Sequence, residues 1–344
     1  MRKRNLLVII NSICLILVLA LMPVLSSCPK TTPGTYEIEI YGGKAGMTTY
    51  AAAIALAELI NEHSTSLNAT AVESPSLTAS FQLLQKEPER RPDTLIISMT
   101  SFHWLASEGK EPFTEQYDGL RFISTLGYHM QGFITLDPEI KTVADFSGKK
   151  VSIGDMSSLS RVEMLKAIFE SAGVLDEVTL EYLGLPDGAN ALRDGLIDAT
   201  LGSLTLISPP DQYTPASYLS EIMSAKTVYF TSMDSQDIKY MNELVGPLET
   251  VHTVPAGCMG ETQTEPWVGL GKVFGWAADR QLPDNVVYEI CRIIYENADQ
   301  FADYNPSLAF VSHETMAKWG VPEENMHPGA LQFYKDYGME LGSY

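Results

Sequence analysis

The stretch EIEIYGGKAGMTTYAAAIALAELIN, residues 37–61, contains the first complete structural unit of the chain. Its first four residues alternate acidic and apolar side chains, which is the two-residue period of a strand. A glycine-rich turn over 41–46 follows, and Ala and Leu then recur at helical spacing over 50–61. The stretch therefore predicts a strand, a loop and a helix, in that order.

The same succession recurs along the chain. Further strands are predicted over 69–72, 94–98, 151–153, 179–182 and 197–202, and helices over 76–86, 160–173 and 189–193. A late helix is predicted where apolar residues fall on one face, at Val286, Val287, Ile290, Ile293 and Ile294. Strands that alternate with helices predict an α/β fold with largely parallel sheets.

Two of these helices begin with capping signals. Ser74 before Pro75 is typical of an N-cap followed by proline in the first turn, and Ser160 with Glu163 forms the pattern of a capping box. Ligands of α/β sheets bind beyond the carboxyl ends of the strands, where helix N-termini offer free N–H groups. The loops expected to hold ligand therefore precede Tyr50, Ser76 and Arg161.

The first residues have the order of a secretory signal. Arg2, Lys3 and Arg4 precede an apolar run over 6–25, and Leu25-Ser26-Ser27-Cys28 has the form of a bacterial lipobox. We expect a signal peptide over 1–27, a lipid on Cys28 and a polar tether over 28–35. An uncleaved transmembrane helix is the alternative, since the run is long enough to span. Either interpretation predicts an extracytoplasmic protein, and the first predicts a bacterial membrane lipoprotein in the periplasm or on the outer cell surface.

The composition excludes several classes of function. The formal charge of −20 argues against nucleic acid as a partner, because phosphates require a basic surface. The chain has no GxSxG, Walker, HExxH or GxGxxG motif. It also lacks Cys and His at zinc-binding spacing, so no metal or cofactor is expected. Cys258 and Cys291 are interpreted as small buried hydrophobic residues rather than a disulfide, although pairing is possible outside the cytoplasm.

An ordered set of segments resembles the TAXI branch of TRAP-transporter solute-binding proteins. The set comprises GG at 42–43 with ALAELIN at 55–61, KTVADFSGKKVSIG at 141–154, ALRDGLIDA at 191–199, VPAG at 254–257, LPDNVVY at 282–288 and HPGALQFY at 327–334. The resemblance runs from about residue 38 to 338. Two loops depart from the family pattern, GGKAGMTT at 42–49 and SSLSR at 157–161, and both lie where ligand is expected.

The resemblance implies a two-lobed clamshell of the periplasmic-binding-protein type, with its ligand cleft between the lobes. Lobe I is expected over 36–130 and 271–344, lobe II over 131–270, and closure about 127–132 and 271–276. The implied function is a receptor, not an enzyme, that delivers a small carboxylate or an amino acid such as glutamate to TRAP membrane subunits. The alternatives are a receptor for an ABC importer or for sensing, and an extracytoplasmic α/β hydrolase.

Two cations at the divergent loops are candidates for a carboxylate clamp. Lys44 and Arg161 can each form charged hydrogen bonds, and an arginine can do so bidentately. Hydroxyl donors are expected at Thr48, Thr49, Ser98, Thr100, Ser157 and Ser158. Tyr50, Tyr213 and Trp267 are the expected aromatic walls of the cleft, with the plain core as the alternative.

Overall fold

The computed structural model describes residues 34–156, 159–209 and 211–342. The predicted signal peptide, Cys28 and most of the tether lie outside the described residues. Within the described part, the strands are β1 (Tyr36–Tyr41), β2 (Leu67–Val72), β3 (Thr94–Met99), β4 (Leu120–Thr135), β5 (Lys150–Ser152), β6 (Thr179–Glu181), β7 (Ala199–Ser208), β8 (Gln212–Pro215), β9 (Tyr229–Thr231), β10 (Thr250–Val254) and β11 (Trp267–Asp279).

Helices follow or separate most of these strands. They are α1 (Thr48–His63), α2 (Leu77–Lys86), α3 (Thr100–Ser107), α4 (Leu159–Ser171), α5 (Leu185–Arg193), α6 (Ser217–Ala225), α7 (Ser235–Val245), α8 (Asp284–Glu296), α9 (Phe301–Tyr304) and α10 (Pro328–Asp336). The predicted late helix is confirmed as α8, and all five of its predicted apolar residues are buried.

One mixed sheet runs through the protein in the order β2-β1-β3-β11-β4-β7-β5-β6. The strands β2, β1 and β3 are parallel at one end, and β6, β5 and β7 are parallel at the other. Between them, β11 pairs antiparallel with both β3 and β4, and β4 pairs antiparallel with β7. The α/β prediction is therefore confirmed, with a parallel unit at each end of the sheet.

The expectation of largely parallel sheets is wrong for the centre of the molecule. β4 and β11 are long strands that are buried at most positions on both faces, and their sequences indicate neither strand direction nor partner. They pair from Leu270 with Gln131 to Asp279 with Leu120, and the register shifts after Phe274 and after Trp276. Such bulges bend a strand and increase its twist, and they lie within or beside the segments expected to hold the hinge.

Two apolar clusters form the core. The larger includes residues of α1, β3, α8 and α10, and the smaller gathers around Trp267 between β4, β7 and α6. Trp267 is 1% exposed and its Nε1 donates to the carbonyl of Thr231 at 3.2 Å. A Cβ on residue 132 would lie 2.6 Å from the indole, so glycine at this position leaves the space that the ring occupies.

Three helix starts differ from the sequence prediction. α1 begins at Thr48 rather than 50, and Met47 is its N-cap. The N-cap of α2 is Ser76, whose side chain accepts from the backbone N–H of Ala79, whereas Ser74 donates to the carbonyl of Ser76. α4 begins at Leu159, so Ser160 lies inside the helix rather than at its N-cap.

The two cysteines of the described part are free. Cys291 is buried on α8 and behaves as predicted for a small core residue. Cys258 is only partly buried, in the loop between β10 and β11.

Candidate functional site

A polar cavity of about 170 Å³ lies on the face of the sheet where β4, β7 and β11 run side by side. Its lining residues are His129, Gln131, Arg161, Ser203, Glu249, Leu270 and Lys272. Sites for drug-sized ligands measure roughly 300–1,000 Å³, so this volume suits a small solute. One of the predicted site residues, Arg161, is part of it.

The strand register explains why these side chains converge. His129 of β4 is opposite Lys272 of β11 and Thr205 of β7, and Gln131 is opposite Leu270 and Ser203. Residues two apart on a strand share a face, so these cross-strand neighbours form two adjacent rows on one side of the sheet. The rows are the floor of the cavity.

Hydrogen bonds fix the polar groups of this floor. The Gln131 amide donates to the hydroxyl of Ser203 at 3.0 Å, and the Tyr218 hydroxyl donates to the same oxygen at 2.8 Å. The hydroxyl of Thr205 lies 3.3 Å from Nδ1 of His129. The ring of His129 packs on Phe274, with centroids 4.8 Å apart. The floor is therefore ordered before any solute arrives.

Glu249 and Lys272 form an ion pair at one side of the cavity. A carboxylate oxygen of Glu249 lies 2.6 Å from Nζ of Lys272, and the side chains are 4% and 32% exposed. Burial raises the pKa of Glu249, while the charges of Lys272 and Arg161 oppose that rise. The side chain of Asn242 holds the backbone of Glu249 in place, since it donates to the Glu249 carbonyl and accepts from the N–H groups of Leu248 and Glu249.

Arg161 reaches the cavity from the first turn of α4. It is half-buried, and no carboxylate of the described residues lies within ion-pair distance of it. Its alkyl chain passes close to Gly154, where a Cβ would lie 3.2 Å from Cδ. A guanidinium that is partly desolvated and has no ionic partner favours an anionic ligand.

The electrostatics of His129 add to this preference. Although His129 is partly exposed, the protein atoms around its ring, and then the charge of Lys272, lower its pKa to about 4. The imidazole is therefore neutral near pH 7, and one of its nitrogens can donate to a solute.

The first predicted loop lies elsewhere on the surface of the described chain. Lys44 is exposed, and the neighbouring N–H of Ala45 donates to Glu73 at 3.0 Å. Thr48, Thr49 and Tyr50 occupy the first turn of α1 and are half-buried. None of these four residues lines the cavity around Arg161.

The remaining predicted residues fall into three groups. Ser98 is fully buried at the end of β3 and its hydroxyl has no partner among the described residues, while Thr100 begins α3. Ser157 and Ser158 lie outside the described residues. Tyr213 of β8 bonds through its hydroxyl to Nε2 of His252 at 2.9 Å. Trp267 supports the sheet from inside the core, which favours the plain-core alternative over a cleft wall.

Sequence reasoning missed most of the cavity floor. His129, Gln131, Ser203 and Lys272 lie inside strands, and no local motif marks them. Lys272 ends the segment Gly269-Leu270-Gly271-Lys272, which lies within strand β11. The polar residues at 129 and 131, two apart within β4, were the one available signal.

A larger cavity, of about 630 Å³, lies between the end of β7 and the segment from α8 to residue 314. Its charged lining residues are Glu296, Asp299 and Glu314, which repel an anion. His313 stacks on Tyr295 there, with centroids 3.8 Å apart. The smaller cavity is therefore the better candidate for an anionic solute.

The family of the chain is shown by its sequence. The NMT1-like family matches residues 40–338, which is most of the chain. The chain belongs to the NMT1-like family. The match covers every strand and helix that builds the cavity, from β4 to β11.

Solved structures with a similar fold include two solute-binding proteins and a protein with bound malate. The aliphatic sulphonate binding protein SsuA from Escherichia coli is 16% identical, with a TM-score of 0.43, over 88% of this chain and 83% of that one. A TctC solute binding protein from Polaromonas is 14% identical, with a TM-score of 0.48, over 90% of each chain. MatC from Rhodopseudomonas palustris, with bound malate, is 14% identical, with a TM-score of 0.42, over 88% and 95%.

The described residues contain neither a membrane-spanning helix nor a metal-binding cluster. Residues 34–156, 159–209 and 211–342 contain no helix with the length and apolar character needed to cross a membrane. The same residues contain no group of three or more His, Cys, Asp or Glu placed to hold a metal ion.

Proposed function

We propose that this NMT1-like protein is an extracytoplasmic receptor that captures a small carboxylate-bearing solute and delivers it to a membrane transporter. The observation that carries the proposal is the position of Arg161. Its guanidinium is without an ionic partner among the described residues and lines a small polar cavity whose other cation, Lys272, is already paired. A carboxylate would satisfy that guanidinium with charged hydrogen bonds.

The proposal includes a division into lobes that meet at the cavity. Lobe I comprises 36–130 and 271–344, and lobe II comprises 131–270, so both boundaries fall inside β4 and β11. The floor residues His129 and Lys272 lie beside these boundaries. Closure about the two strands would bring Lys44, the first turn of α1, Ser98 and Thr100 toward a solute held by Arg161.

The sequence resemblance supports TRAP-type membrane subunits as the partner. The lipobox pattern over 25–28 supports attachment of the receptor to the membrane by a lipid on Cys28. Anchoring raises the local concentration of a receptor around its transporter. The Cys28→Ala protein is expected in the soluble extracytoplasmic fraction, and its retention in the membrane would contradict the anchor.

The identity of the solute is open to direct measurement. Gently purified protein should release a small organic acid or amino acid, which mass spectrometry would identify. Incubation of that solute with the protein should leave it chemically unchanged. Adding that solute should raise the melting temperature, because a ligand that binds only the native state stabilises it. Chemical conversion of the solute would instead support a hydrolase.

Arg161→Ala tests the residue that carries the proposal. Each hydrogen bond to a charged group contributes about 1.5–3 kcal/mol, so the variant should bind the acid at least about tenfold more weakly. The matched control is Arg193→Ala, since Arg193 is a surface residue paired with Asp194 at 3.2 Å. Equal affinity of both variants and the wild type for the acid would contradict the role of Arg161.

A further inference from the structure

We propose that the Glu249–Lys272 pair sets the charge of the solute, so that the cavity selects a solute with one net negative charge over a dianion. The inference rests on the proposed function, because it takes the cavity around Arg161 as the place where the solute binds. The inference assigns a role to Glu249. Its carboxylate has the same negative charge as the solute and therefore repels a second negative charge.

The charged and titratable side chains that line the cavity come from three elements and one connecting segment. α4 supplies Arg161, β11 supplies Lys272, β4 supplies the neutral His129, and the residue before β10 is Glu249. β7 contributes only the hydroxyl of Ser203 to the lining. With the ion pair formed, one positive charge of the lining is uncompensated.

Lys272 is committed to Glu249. Its ammonium lies 2.6 Å from a carboxylate that is 4% exposed and whose backbone is clamped by Asn242. Removing that ammonium from Glu249 would leave a buried carboxylate without its partner, which is costly. A second negative charge on the solute would therefore find no free cation on the floor and would face Glu249 itself.

Exclusion of this kind is a common source of specificity. A site discriminates between two ligands either by contacts to one or by unpaired and repelling charges against the other. Arg161 provides the first component here, and Glu249 provides the second. Acidic amino acids, with net charge −1, and monocarboxylates both satisfy the arrangement, whereas dicarboxylates with net charge −2 do not.

The test uses acids matched in skeleton. Calorimetry at pH 7.5 would compare succinate with succinamate and glutarate with glutaramate, together with aspartate and glutamate as further monoanions. The wild type should bind its best monoanion at least about tenfold more tightly than the matching dianion. A wild-type preference for the dianions would overturn the inference.

Two substitutions move the charge of the cavity in opposite directions. Glu249→Gln leaves two uncompensated cations and should shift the affinity ratio toward dianions by about tenfold or more. Lys272→Gln brings the summed charge of Arg161 and Glu249 to zero and should weaken monoanions relative to the neutral diamides. The control is Glu243→Gln, at a side chain that is 68% exposed on α7, which should leave every ratio unchanged.

The outcomes separate the two proposals. Binding of acids with ratios that no folded charge variant alters overturns the charge selection and leaves the receptor function standing. Failure of every acid to bind the wild type overturns both. If Glu249→Gln does not fold, the wild-type ratios and Lys272→Gln still decide.

Discussion

Two buried carboxylates lie along β11, one at its end and one beside its middle, and they are held in different ways. Asp279, the last residue of the strand, is 1% exposed and accepts hydrogen bonds from the hydroxyl of Tyr117 and the backbone N–H of Gln281 at 2.8 Å. Arg91 lies 3.8 Å away. Glu249, beside the middle of the strand, pairs with Lys272 and lines a cavity.

The two carboxylates therefore differ in role, since Asp279 supports the structure and Glu249 faces the proposed solute site. Asp279 ties the end of β11 to the segment before β4 and is enclosed by apolar residues of the larger core. All of its described partners are groups of the protein. Glu249 has its partner on one side and space for a solute on the other, so its charge acts on whatever enters. Burial alone does not distinguish the two, but their surroundings do.

The largest effect is expected at Asp279. Asp279→Ala leaves the Tyr117 hydroxyl without its buried acceptor and leaves Arg91 with backbone carbonyls as its only acceptors among the described residues. Breaking such a buried charged pair destabilises a protein by about 3–5 kcal/mol. The free energy of unfolding, from urea titration, should fall by that amount, while the ratio of monoanion to dianion affinity stays as in the wild type. Asp303→Ala, at an exposed position, is the control and should change little. A changed ratio would show that Asp279 and the cavity beside Glu249 are not independent.

The second largest effect is expected on stability in acid and concerns β10, the strand beside Lys272. His252 of β10 is 6% exposed, and burial lowers its pKa to about 4. The folded state therefore favours the neutral ring, and its stabilisation is present above the ordinary pKa and is lost as the pH falls from about 6.5 toward 4. The loss amounts to ~3 kcal/mol.

His252→Gln should remove most of that loss. The free energy of unfolding at pH 7 minus that at pH 4 should be ~3 kcal/mol smaller in the variant than in the wild type. His63→Gln, at an exposed position on α1, serves as the reference. An unchanged difference would mean that His252 is not responsible for acid sensitivity at this end of β11.

The smallest effect on stability is expected at Glu249. Burial raises its pKa, so its contribution is present below the ordinary value of 4.5 and is lost as the pH rises through the raised value. Glu249→Gln keeps the shape and a hydrogen-bonding group, and should change the free energy of unfolding at pH 7 by about 1 kcal/mol. It should also remove the decline above pH 4.5. Destabilisation as large as that of Asp279→Ala would show that Glu249 is structural too.

Local patterns in the sequence were sufficient for the outer parts of the fold. The alternation over 37–40, the glycine-rich turn and the helical spacing after it predicted β1, the loop and α1, because each depends on neighbours in sequence. The apolar face of α8 was predictable for the same reason. The exact N-caps were not, since Ser74 and Ser76 offer the same side chain and only the path of the chain chooses between them.

The candidate site was likewise predictable only in part. The sequence by itself determined that Arg161 stands at the start of a helix that follows a strand, and such positions meet ligands in α/β sheets. Only the tertiary structure decided that Lys272 and Glu249 share its cavity. That outcome depends on the register of β4, β7, β10 and β11, and strand register is a property of paired chains that a single stretch of residues does not encode.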